Sequence, residues 1–214
     1  MKGIFITGTD TGVGKTYFTA LLTRSLRQQG LPAIALKPVA SGDRSDATTL
    51  SEAMGGALPI PKINPVHFAA PLAPYPAGLM ENRSFPWDLL LSHWKEMSTS
   101  QPGPILVEGV GGWRVPMDST RTVREWAREL GLPVLVVCRA TLGTLNHTLL
   151  TVDSIRAAGL QIPGIIMNFH GASDDDAART NPGILAEWSK LPVANLPPGA
   201  RSWENPGWLR SVLT

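Results

Sequence analysis

The chain has 214 residues, 43% of them hydrophobic, enough for a single α/β domain spanning 1–214 with a sizeable buried core. A formal charge of +2 with only 17% charged residues excludes the dense basic footprint of a nucleic-acid binder. One cysteine, Cys138, excludes an intramolecular disulfide framework, no apolar run is long enough to span a bilayer, and Met1-Lys2 passes directly into an apolar run; a cytoplasmic protein without a leader or membrane partner is expected.

The first predicted element is a strand over Gly3–Thr7, followed by Gly8-Thr-Asp-Thr-Gly-Val-Gly-Lys-Thr16 and a helix over Thr16–Gln29. Strand, glycine-rich turn and helix in that order gather backbone N–H groups and the positive end of a helix dipole around one point, where an anion fits. Gly12, Val13 and Gly14 would cradle phosphate, Lys15 would reach the outer phosphates, and the Thr16 hydroxyl would face magnesium. Gly8 lies one step earlier than in a regular P-loop, so the pattern is a one-residue-longer variant.

A second strand, Ala33–Lys37, ends on a lysine held extended by Pro38. Lys37 reads either as a surface lysine or as a cation for phosphoryl transfer. Ser41-Gly42 makes a turn suited to a carboxylate or carbamate, and a helix over Asp46–Met54 follows; Asp46 reads equally as its cap or as a magnesium ligand. Pro59–Ser84, broken by six prolines, reads as a packed binding loop.

After a helix at Trp87–Met97, the strand Ile105–Glu108 ends on a carboxylate that reads either as the acidic end of a Walker-B strand, and so a magnesium ligand, or as a helix-capping or salt-bridged group. Gly109, Val110 and Gly111 behind it permit close backbone approach to a ligand. A helix at Thr122–Leu130 leads to the strand Val134–Cys138, where Cys138 reads as a buried structural thiol. A helix at Asn146–Ala157 carries His147, which reads as structural, there being no acid or cysteine at metal spacing. The strand Gly164–Asn168 ends on an amide suited to a purine edge. The acidic run Asp174–Asp176 reads as a solvated loop or helix start; a helix at Pro182–Trp188, a strand at Val193–Leu196 and a tail packed down by Trp203 and Trp208 complete the chain. Apolar runs without alternation imply strands covered on both faces, hence a mostly parallel, doubly wound P-loop NTPase-like sheet flanked by helices, with ligands gathered at the strands' carboxyl ends.

GTDTGVGKT at 8–16, KPVASG at 37–42, Asp46, VEGVGG at 107–112, LGTLNHTLLT at 142–151 and GIIMN at 164–168, in this order, resemble the dethiobiotin synthetases over most of the chain up to Asn168. The resemblance implies an ATP- and magnesium-dependent enzyme of biotin biosynthesis that closes 7,8-diaminopelargonic acid and CO2 into dethiobiotin, with release of ADP and phosphate. It implies catalysis by Lys37 with Lys15; magnesium on Thr16, Asp46 and Glu108; substrate contacts from Ser41, Leu142 and Asn146; and ATP contacts from 12–16, Asp46, 108–111, Asn168, Pro197, Pro198 and Gly199. It also implies a homodimer in which the 142–146 segment reaches the partner's substrate site. Three rivals fit less well. A ParA/MinD-like switch carries an extra lysine where Thr9, Asp10 and Thr11 stand, an amidoligase of the cobyrinic acid type needs a glutaminase domain for which 214 residues leave no space, and a silent binding module would not retain Lys15, Thr16, Lys37 and both carboxylates.

Overall fold

The structure is a computed structural model describing residues 2–172 and 175–213. The chain runs β1 (Gly3–Gly8), α1 (Lys15–Gln28), β2 (Ile34–Leu36), β3 (Val39–Ser41), α2 (Ser45–Ala53), α3 (Ile60–Ile63), β4 (Val66–Phe68), α4 (Pro74–Met80) and α5 (Trp87–Ser100). It continues through β5 (Ile105–Glu108), α6 (Val123–Leu130), β6 (Val134–Arg139), α7 (Thr144–Ala157), β7 (Ile165–Asn168), α8 (Asp176–Ser189), β8 (Val193–Leu196) and α9 (Gly207–Leu213).

Six strands form one parallel sheet in the order β2-β5-β1-β6-β7-β8. β1, β5 and β7 are buried along their full lengths, as are the first five residues of β6, because helices cover both faces. The register sets the ends of neighbouring strands side by side: Ile6 pairs with Glu108 across β1 and β5, and Arg139 with Asn168 across β6 and β7. The sheet thus delivers its polar residues to one rim.

The stretch read as a packed loop, Pro59–Ser84, holds α3, β4 and α4, and β4 pairs in parallel with β3 in a small second sheet. The prolines misled because three of them lie in first helical turns: Pro61 at the start of α3, Pro74 and Pro76 at the start of α4. There the missing N–H has no intrahelical partner to lose. Pro182 misled in the opposite sense. It stands inside α8, which begins six residues earlier, where Asp175 caps it by accepting from the Ala178 N–H at 2.8 Å. Asp174 lies outside the described residues.

The tail packs down as expected. Trp203 meets Phe18 edge-on with ring centroids 5.2 Å apart, and the Trp208 ring lies so close to Gly164 that an added Cβ would sit 2.7 Å from it. Cys138 is buried, and burial pushes its thiol up. Among the described residues, no helix is long and apolar enough to cross a membrane.

Candidate active site

The loop after β1 enters α1 through Gly14, whose φ of 99° is left-handed. No side chain caps α1 and no acid stands in its first turn, so the helix's leading N–H groups are left to a ligand. A Cβ at Gly14 would lie 2.1 Å from Asn168 Nδ2, which is why glycine stands there. Lys15 turns back over the loop and donates to the Asp10 carbonyl at 3.0 Å. Burial, then the neighbouring Lys37 charge, push the Lys15 ammonium down to about 8.

Lys37 lies just past the end of β2, its backbone pinned on both sides. Its N–H donates to the Ile63 carbonyl at 3.0 Å, and its carbonyl accepts from Asn64 Nδ2 at 2.9 Å. Its ammonium is 4% exposed as a residue and meets Glu108 Oε1 at 2.5 Å and Asp46 Oδ2 at 2.8 Å. Burial pushes Lys37 down, but the two carboxylates outweigh it and hold the ammonium above its ordinary value. Partial burial pushes Asp46 up, and Lys37 and Thr16 outweigh that, holding its carboxyl below the usual range.

The Thr16 hydroxyl donates to Glu108 Oε1 at 2.7 Å, so the loop, β2 and β5 meet at one carboxylate. Asp46 makes no cap bond on α2; the capping alternative gives way to its ion pair with Lys37. Glu108 Oε2 is buried with no hydrogen-bond partner among the described residues. A fully buried carboxylate oxygen left bare, beside a hydroxyl and a second carboxylate, matches the hard oxygen donors that magnesium takes.

These groups line a cavity of about 780 Å³, a size for a small-molecule site. Gly12, Gly14, Lys15, Thr16, Lys37, Ser41, Asp46, Glu108, Val110 and Gly111 all border it. Ser41 Oγ is buried there with no hydrogen-bond partner among the described residues. Gly109 lies behind the lining, against the Phe5 ring, where a Cβ would come within 3.1 Å.

Other expected residues lie outside this cavity. Asn168 is buried; its Nδ2 donates to the Val13 carbonyl at 3.0 Å and its Oδ1 accepts from the His170 N–H, so its amide holds the back of the phosphate loop. Pro197, Pro198 and Gly199 form an exposed loop after β8, tied to α1 where the Tyr17 hydroxyl donates to the Ala200 carbonyl at 2.6 Å. Leu142, Asn146 and His147 stand exposed at the start of α7, with Leu142 89% exposed. His147 is therefore a surface residue, not a core one. No group of three or more metal-ligating side chains from His, Cys, Asp and Glu occurs among the described residues.

Pro71, Leu72 and Ala73, from the stretch expected to be a binding loop, line the cavity after the unforeseen β4. Sequence reasoning missed two features of the site. Tyr17 lines the cavity directly after the Lys15-Thr16 pair. Arg139 grips the loop from the end of β6, donating to the Gly12 carbonyl at 2.8 Å through Nη2. Its strand-end position was the available signal.

A family profile described as an AAA domain matches residues 2–201. The chain is 43% identical over 202 residues to the ATP-dependent dethiobiotin synthetase BioD of Anaeromyxobacter dehalogenans, covering 92% of this chain and 90% of that protein. It is likewise 43% identical over 198 residues to the ATP-dependent dethiobiotin synthetase BioD of Aquifex aeolicus, covering 91% and 88%. Among solved structures, chloroplast FtsY from Physcomitrella patens superposes with a TM-score of 0.57 at 17% identity over 90% of this chain. This chain spans 56% of that structure, and the likeness carries the P-loop NTPase fold alone. Relatives at this identity over nearly full length decide the family: the chain belongs to the ATP-dependent dethiobiotin synthetases.

Proposed function

We propose that this chain, as one cytoplasmic domain acting in a homodimer, converts 7,8-diaminopelargonic acid, CO2 and ATP to dethiobiotin, ADP and phosphate. The observation that carries the reading is the buried Lys37, held between Glu108 and Asp46 on the same rim as an uncapped phosphate loop whose Thr16 shares Glu108 Oε1 with it. In the reaction one substrate amine takes up CO2 as a carbamate. A carbamate oxygen attacks the γ-phosphorus and ADP leaves; the second amine then attacks the carbamoyl carbon, and phosphate leaves as the ureido ring closes.

Carbamate and triphosphate are both anionic and repel each other, so their approach requires fixed cations. Lys37 and Lys15 supply two, and the carboxylates that pair with Lys37 favour its charged form against the pull of burial. The N–H groups of 12–16 hold the phosphates, and Ser41, with a bare buried hydroxyl, offers a hydrogen bond to carbamate or carboxylate. Glu108, Gly109, Val110 and Gly111 flank ATP from the neighbouring strand, and Asn168 joins the ATP site through the loop it holds. Pro197, Pro198 and Gly199 are assigned to the purine side. Thr16, Asp46 and Glu108 would hold magnesium, which when bound neutralises charge on phosphate oxygens. Leu142 and Asn146 are exposed and do not line this chain's own cavity, which fits contact with substrate in a partner's site.

Turnover tests the reading: with diaminopelargonate, bicarbonate, magnesium and ATP, dethiobiotin read by mass should appear one for one with ADP. Asp46→Asn should raise the magnesium needed for half-maximal rate, because a neutral amide is a poorer ligand for a hard cation. ADP release that ignores the diamine would refute the substrate assignment.

A further inference from the structure

Two side chains from adjacent strand ends grip successive carbonyls of the phosphate loop. Asn168, ending β7, donates to the Val13 carbonyl at 3.0 Å, and Arg139, ending β6, donates to the Gly12 carbonyl through Nη2 at 2.8 Å and Nε at 3.3 Å. The two residues are register partners across β6 and β7, so they brace the loop from one edge of the sheet. In a trans peptide the C=O and N–H point in opposite directions. Pinning the Gly12 and Val13 carbonyls against the sheet therefore turns the Val13 and Gly14 N–H groups away from it.

The two grips differ in kind. Asn168 is buried, whereas Arg139 is exposed and its hydrogen bonds go to the Gly12 carbonyl rather than to a carboxylate. Its charge is thus carried beside the phosphate loop and used on the backbone. Gly12 has a φ of 70°, and a Cβ there would lie 2.9 Å from Arg139 Nη2, so the loop's turn and the arginine's approach are fitted to each other.

We propose that Arg139 is a positioning residue for the ATP phosphates: it acts through the Gly12 carbonyl to hold the phosphate loop with its N–H groups aimed for anion binding. The proposal rests on reading this loop as the ATP cradle. Without the grip, the loop must be ordered by ATP itself at the moment of binding, and affinity falls by that cost.

The experiment compares wild type, R139A and R139K, reading kcat and KM for ATP, KM for the diamine, the dissociation constant of ADP, and the thermal midpoint without nucleotide. Loss of a charge-assisted bond predicts that R139A raises both KM for ATP and the ADP dissociation constant roughly tenfold. It should leave kcat within about threefold and the unliganded midpoint and diamine KM unmoved, and R139K, a single-point donor, should recover part of the affinity. Unchanged ATP and ADP affinity in R139A, or a fall in kcat at constant KM, overturns the proposal; so does unfolding of R139A together with wild-type ATP affinity in R139K. Failure of the cradle reading shows separately, as ADP affinity that survives Lys15→Ala unchanged.

Discussion

At the scale of residues, the site holds two lysine ammoniums away from bulk water. Lys37 is buried yet charged because Glu108 and Asp46 stand within 2.8 Å of it. Lys15 lacks so close a partner and is held near 8 by burial and by Lys37. Its charge is thus lost as pH rises past about 8, two units or more below an ordinary lysine. ADP affinity, measured by calorimetry from pH 7 to 10, should decline above about pH 8 and approach a tenfold loss per unit, and Lys15→Ala should abolish that slope. Affinity holding level to pH 10 would contradict the assigned environment. Stability moves the other way. Between about 8 and the ordinary 10.5 the folded chain binds fewer protons at Lys15 than the unfolded chain, so the cost of burying this charge fades as pH rises through that window.

At the scale of elements, the loop into α1 leaves no room for side chains. Gly14 combines a φ of 99° with a Cβ position 2.1 Å from Asn168 Nδ2. Gly14→Ala therefore meets left-handed strain of about 1–3 kcal/mol and must also displace Asn168 from the Val13 carbonyl. Nucleotide binding should fall at least tenfold, with a lowered thermal midpoint; an alanine variant with wild-type ADP affinity would contradict this packing. The phosphate loop, the main strands and Glu108 at the end of β5 were legible because short apolar runs ending in polar residues are the signature of buried parallel strands. The strap holding Pro71–Ala73 was not, since proline reads as a breaker until its place in a helix's first turn is known. Arg139 was hidden for another reason: it acts on a backbone carbonyl 127 residues away, a contact only the β1–β6 pairing creates.

At the scale of the whole molecule, the start of α7 presents a face that no other described residue covers. Leu142 is 89% exposed and Leu150 62%, with Asn146 and His147 exposed between them. A two-fold contact over this face would bury it and bring Asn146 to the second chain's cavity, making two equivalent sites, each built from both chains. Asn146→Ala should then weaken diamine binding and leave ATP binding intact. Mixing it with Lys37→Ala should restore part of the activity, because one site in each mixed dimer joins an intact Lys37 to an intact Asn146. No recovery in well-exchanged mixtures, or a fully active monomer in sedimentation, would contradict the arrangement.

If the cluster at the strand ends is the reaction centre, Lys37 carries its charge into phosphoryl transfer. The most direct measurement is kcat for dethiobiotin formation by Lys37→Ala, set beside its ATP dissociation constant. A cation felt chiefly as charge develops on the transferring phosphate predicts a fall in kcat of roughly a hundredfold or more, with ATP affinity changed far less. Near-normal turnover, or a loss confined to ATP affinity, would contradict the account.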